Sequence, residues 1–132
     1  ISFKLKNKTA VKQWVKATIE AEGYKLKELN YIFCSEEYLL KINQQYLDHD
    51  TYTDIVTFDN SEKECTIEGD IFISIDRIRE NAVKFSSGEV NELHRVIIHG
   101  ALHLLGYQDK TAEKKKVMTG REDHYLGQRN FT

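Results

Sequence analysis

The sequence predicts an α+β domain, a small mixed β-sheet packed with about five helices. Three observations predict it. Short apolar or alternating stretches bounded by turn residues read as strands. Longer stretches with apolar residues three and four apart read as helices. The 132 residues contain no Pro, and no Gly/Ser-rich linker or internal repeat interrupts them, so residues 1–132 read as one domain around one core.

The elements follow in order. "ISFKL" (1–5) alternates and reads as an edge strand. From Thr9 to about Ala21, Val11, Trp14, Val15 and Ile19 form one helical stripe, which Gly23 ends. "LNYIFC" (29–34) reads as a buried strand. Ser35 is placed to cap a helix running to about Leu47, with Leu39, Ile42 and Tyr46 on one face. A polar loop (48–54) leads to the strand "DIVTF" (54–58), whose antiparallel partner is "GDIFIS" (69–74). Residues 75–85 read as a helix that stops at "SSG" (86–88). Glu89 to Leu105 is the most strongly patterned helix, with Val90, Leu93, Ile97, Ala101 and Leu104 turned inward. A last helix runs from about Ala112 to Leu126. The expected order is βαβαββααα.

Composition excludes several classes. Hydrophobic residues make up 40% and charged residues 30%, a globular balance rather than a disordered one. No apolar run approaches the roughly 20 residues of a membrane helix, and "ISFKLKNK" has no signal-peptide core, so a cytoplasmic location is expected. Cys34 and Cys65 stand far apart with no CxxC pairing, which suits reduced, inert thiols, a disulfide between them being the lesser alternative. The net charge of −2 argues against a generally basic nucleic-acid binder. Its distribution is uneven: residues 1–27 carry a net of +5, residues 28–70 a net of −9, and residues 71–132 a net of +2.

"VIIHGALHLLGYQDKT" (96–111) carries the chemistry. His99 and His103 are four apart, so on a helix roughly 40° of rotation and about 6 Å of rise separate them and both imidazoles can face one ion. Asp109 would lie far around a continuing helix. Gly106 can end the helix in a left-handed conformation and turn the chain so that Asp109 reaches the same point. Two neutral His and one carboxylate suit Zn²⁺, with a fourth position left for water or substrate. The plain alternative is a pair of hydrogen-bonded core histidines. The metalloprotease motif HExxH places its general base directly after the first His, and here that position is Gly100, so a peptidase would lack its base.

His99-Gly100-x-Leu102-His103-Leu104-x-Gly106-Tyr107-x-Asp109 resembles the HGxLHLxGYDH signature of the YbeY family, bacterial metal-dependent endoribonucleases of ribosomal RNA maturation and ribosome quality control. Ile42-Asn43-x-x-Tyr46 followed by Thr53-Asp54-Ile55-Val56-Thr57-Phe58 is similar to the family's LNxxYR…TDVLSF segment. Gly69-Asp70-Ile71 is similar to its GDI strand, and Met118 with Glu122 to a late MxxxE pattern. The resemblance implies a zincin-like fold, one zinc ion per chain held by three side chains, and a single-strand-specific endoribonuclease acting on the 16S rRNA 3′ end. Its implied partners are ribosomal RNA and the ribosome or a ribosomal subunit, with neither DNA nor membrane. Two positions depart from the pattern. Asp109 stands where the signature has His, which lowers the site charge from +2 to +1 and acidifies a coordinated water less. Leu47 stands where the family has an Arg thought to assist catalysis, and Leu cannot stabilise a phosphate. Two further readings therefore stand beside the nuclease: a ribosome-associated assembly factor with a structural metal, and a metal-dependent hydrolase of another substrate.

Other residues are candidates by position. Arg95 shares a helical face with His99 and His103 and could clamp a phosphate near the ion, or simply pair with Glu89 or Glu92. Asp54 and Asp70 suit turn-capping or contacts to a ligand His. Lys8, Lys12 and Lys16 form a stripe opposite the apolar face of the first helix, a solvated face or an RNA-backbone track. Lys110 and Lys114 to Lys116 adjoin the metal residues and could guide a strand, and Tyr107 suits packing of the turn more than stacking on a base. His49, His94 and His124 match no ligand spacing.

Overall fold

The computed structural model describes residues 3–47 and 53–131. Within them the chain forms α1 (Lys8–Ala21), β1 (Lys25–Cys34), α2 (Glu36–Tyr46), β2 (Ile55–Asp59), β3 (Thr66–Ser74), α3 (Ile75–Lys84), α4 (Glu89–Leu104) and α5 (Ala112–Leu126). The expected α+β domain with a small mixed sheet and five helices is what the chain adopts.

The sheet order is β1-β3-β2. β3 is central, parallel to β1 and antiparallel to β2, with Tyr31 and Thr57 both opposite Ile71. Side chains alternate across β3, so Ile67, Ile71 and Ile73 are buried. One core gathers Val11, Trp14, Val15 and Ile19 of α1 with these strand residues and with Leu93, Ile97, Ala101 and Leu104 of α4. A smaller cluster of Leu39 and Ile42 with Cys34 and Val56 seats α2.

Helix ends follow local chemistry. The Ser35 hydroxyl accepts from the Tyr38 amide at 3.2 Å, and Thr111 accepts from Lys114 at 3.1 Å. Gly23 at φ +86° ends α1, the amide of Tyr24 reaching back to the carbonyl of Ile19 at 3.1 Å.

Three expectations need correction. Residues 3–5 form no strand, so the observed order among the described residues is αβαββααα; residues 1 and 2 lie outside them. Phe3 instead lays its ring 4.9 Å from that of Phe33. β1 starts at Lys25, four residues early, because parallel pairing with Thr66–Glu68 extends it through a charged, apolar-poor stretch at the sheet edge. Val90, expected to turn inward, is 44% exposed in the first turn of α4, whereas Tyr46 at the end of α2 sets its ring 5.9 Å from that of Phe58. Both thiols are free, and burial, with Asp76 nearby, pushes Cys34 up to about 11.

Candidate metal centre

α4 carries the first two site residues because its apolar face fixes its rotation. Leu93, Ile97, Ala101 and Leu104 point into the core. That turns His99 and His103 to the partly exposed side, with ring centroids 4.5 Å apart. Gly100 is what lets the helix lie so close to the sheet. A Cβ there would stand 2.8 Å from Ile55 Cδ1 and 3.0 Å from Ile71 Cδ1.

The helix ends as the sequence predicts. The amide of Gly106 bonds to the carbonyl of His103 at 3.0 Å and that of Tyr107 to the carbonyl of Leu102 at 3.1 Å, the two bonds of a Schellman motif. Gly106 sits at φ +104°, a backbone state that L-residues rarely adopt. The chain turns back, and Asp109 Oδ2 comes to 3.4 Å from His99 Nε2 and 3.5 Å from His103 Nε2.

These three side chains each offer one ligand atom, all within 4.8 Å of one another. Two ligands about 2.1 Å from a tetrahedral ion stand roughly 3.4 Å apart, so the His–Asp separations match an edge of such a site. The ring tautomers agree. His103 Nδ1 donates to the carbonyl of Tyr107 at 3.0 Å, which leaves the Nε2 lone pair free. His99 Nδ1 lies 2.5 Å from Glu122 Oε2, which likewise directs Nε2 inward. The donor set therefore fits a divalent ion such as zinc.

Glu122 is the residue sequence reasoning left without a role. It is buried on α5 at 6% exposure, and its other oxygen accepts from Arg95 Nη1 at 2.7 Å. Arg95 Nη2 donates to Asp123 at 2.6 Å. The guanidinium expected as a phosphate clamp pairs with two carboxylates of α5, neither of them Glu89 or Glu92, and lines the cavity beside His99. Glu89 pairs with Arg79, and Glu92 accepts from the Ser87 hydroxyl.

Electrostatics divide the two histidines. Burial disfavours charge on His99, but the hydrogen bond and charge of Glu122, with Asp109 beside it, outweigh that and raise its pKa above the ordinary value. His103 is lowered by burial and by His99, against the pull of Asp109. Glu92 is raised by its burial, with Asp54 and Glu122 adding to the effect, over the opposing bond from Ser87 and charge of Arg95.

A cavity of about 170 Å³ opens beside these groups, lined among others by Asp54, Glu92, His99, Asp109 and Lys115. Lys115 thus brings a cation to the site, while Lys114 binds Gln108 at 2.9 Å. Asp70 accepts from Asn30 and Asn60 at the sheet surface, a structural role. Lys8, Lys12 and Lys16 are exposed and border a separate groove of about 800 Å³ between α1 and β1. His94 is buried against Trp14 and Phe131, and His124 faces outward beside Gln128; neither joins the site. His49 lies outside the described residues.

The chain matches the family model described as Endoribonuclease YbeY over residues 2–130. It belongs to the YbeY family. Among its relatives, the Endoribonuclease YbeY of Cytophaga hutchinsonii is 52% identical over 98% of this chain and 90% of that protein. That of Flavobacterium psychrophilum is 48% identical over 96% and 89%. The solution structure of TM1509 from Thermotoga maritima shares the fold with a TM-score of 0.65 and 28% identity, over 93% of this chain and 83% of that one. Within the YbeY family signature, Asp109 replaces the final His and still reaches both imidazoles. Among the described residues no helix is long and apolar enough to cross a membrane.

Proposed function

We propose that this protein is a zinc-dependent, single-strand-specific endoribonuclease of the cytoplasm that matures the 3′ end of 16S ribosomal RNA and acts in ribosome quality control. One observation carries the reading: Nε2 of both His99 and His103 faces Asp109 Oδ2 while each Nδ1 is held by a separate acceptor. Membership of the YbeY family supplies the substrate class. His99, His103 and Asp109 would hold the ion. When bound, such an ion supplies Lewis acidity toward a phosphodiester and makes a coordinated water more acidic.

The chain's own groups do the rest. Glu122 and the Tyr107 carbonyl fix the two imidazoles. Lys115 and Arg95, both at the cavity wall, are the cations placed to meet a phosphate, in the role that Leu47 leaves open. Glu92, whose buried carboxyl is raised, is placed to exchange a proton with a molecule in the cavity. A peptidase is disfavoured because position 100, where the metalloprotease motif carries its general base, is Gly and packs against Ile55 and Ile71.

Leu47, 40% exposed at the end of α2, favours a second reading, an assembly factor with a structural metal. One experiment decides between them. Single-stranded RNA is incubated with metal-stripped protein and with protein reloaded with zinc. Cleavage restored by zinc supports the nuclease; RNA binding without cleavage in either form would overturn it in favour of the assembly factor.

A further inference from the structure

A second cluster of polar side chains lies outside the metal cavity. Glu22 follows the last residue of α1, and its side chain is only 12% exposed. Its Oε1 accepts from the Tyr107 hydroxyl at 2.6 Å. Its Oε2 accepts from the Tyr125 hydroxyl of α5, with Arg121 Nη1 3.7 Å away. Burial alone would raise this carboxyl, but the two hydroxyls and Arg121 outweigh it and hold Glu22 below its ordinary range. It is an ionised acceptor joining α1, α5 and the turn after α4.

Tyr107 carries that junction to the metal centre. Its hydroxyl is held by Glu22, its amide closes the Schellman motif, and its carbonyl fixes His103 Nδ1. Asp109 follows two residues later. The rest of this turn lies nearer the surface: Gly106 and Gln108 are exposed, with Gln108 held by Lys114, and a Cβ at Gly106 would find nothing within 4 Å. Tyr107 packs against the core, so its ring is the turn's inward anchor and Glu22 sets where that anchor sits.

We propose that Glu22 is a positioning residue for the metal centre, acting through Tyr107 to hold the His103 ring and the Asp109 turn ready for the ion. This rests on reading His99, His103 and Asp109 as the metal ligands. Glu22 is some 80 residues away in sequence and touches none of them, yet it holds the hydroxyl of Tyr107, whose carbonyl accepts from His103 Nδ1 two residues before Asp109.

Cobalt(II) is the probe, because its visible absorption reports coordination geometry. Glu22→Gln and Tyr107→Phe should each weaken cobalt affinity about 10-fold and alter the absorption bands. The double variant should be no weaker than the weaker single one, because both cut the same link. Tyr107→Phe removes one oxygen and keeps the carbonyl, so it gives a reading even if Glu22→Gln fails to fold. Variants with unmodified affinity and spectrum, or effects that add in the double variant, would overturn the inference while leaving the ligands in place. An unmodified chain that binds no cobalt would overturn the ligand reading and this inference together.

Discussion

Glu122 holds His99 by a 2.5 Å hydrogen bond while its second oxygen receives Arg95 at 2.7 Å. One buried carboxylate thus orients a candidate metal ligand and is itself oriented by a cation. A carboxylate so placed keeps the proton on Nδ1 and makes Nε2 a better donor to an ion.

Removing only the charge of Glu122 should therefore loosen metal without emptying the space. Glu122→Gln is expected to weaken zinc affinity by 10- to 100-fold, roughly the effect of such outer partners elsewhere. A chelator competition titration measures it. Zinc affinity equal to that of the unmodified chain would show that Glu122 serves packing alone.

Asp109 makes a sharper demand. Asp109→Ala should lose most zinc, since two imidazoles then share the ion with solvent. Asp109→His should retain close to one zinc per chain, because imidazole is the ligand the YbeY signature places there. Elemental analysis after dialysis reads both. Full metal in the Ala variant would remove Asp109 from the ligand set.

His94 predicts a pH effect on stability far from the metal. Burial and the neighbouring Arg129 lower its pKa to about 4, and its Nδ1 accepts from Arg129 Nη1 at 2.8 Å. The unfolded chain takes up a proton at His94 near pH 6.5 that the folded chain refuses until about pH 4. The contribution is fully present above 6.5 and declines as pH falls through that window, by about 2 kcal/mol at pH 5. His94→Gln keeps an acceptor and has no proton to gain, so its stability should fall less between pH 7 and pH 5. Equal losses by denaturant titration would refute the assignment.

The lysine ridge of α1 offers a test against RNA. Lys8, Lys12 and Lys16 are all exposed, so changing them together to Gln should leave the fold intact. If each meets a phosphate, RNA binding should weaken and the slope of log affinity against log salt should flatten by about 2. An unchanged slope would make the ridge a solvated face.

The cluster of His99, His103 and Asp109 was legible because its signals are local. Two His four apart and a helix-ending Gly leave little choice for where Asp109 goes. The strand pairing of 54–58 with 69–74 was legible for the same reason. Glu122 was not, because its role depends on α5 folding back along α4, which no short pattern records. A signal was nonetheless present: Met118, Glu122, Tyr125 and Leu126 form the buried stripe of α5, and an acid within such a stripe demands a partner. Arg95 was misdirected by the same blindness, since its expected partners lay on its own helix. The early half of β1 escaped because edge pairing, not apolar patterning, defines it.

The close approach at Gly100 also constrains what the scaffold can become. A side chain there meets the Cδ1 methyls of Ile55 and Ile71, with Ile71 Cγ2 behind them at 3.1 Å, so it fits only if the isoleucines repack or α4 lifts from the sheet. Either adjustment disturbs the helix that carries His99 and His103. A lineage drifting toward peptide hydrolysis would thus gain its base only by reseating the helix that holds the two imidazoles.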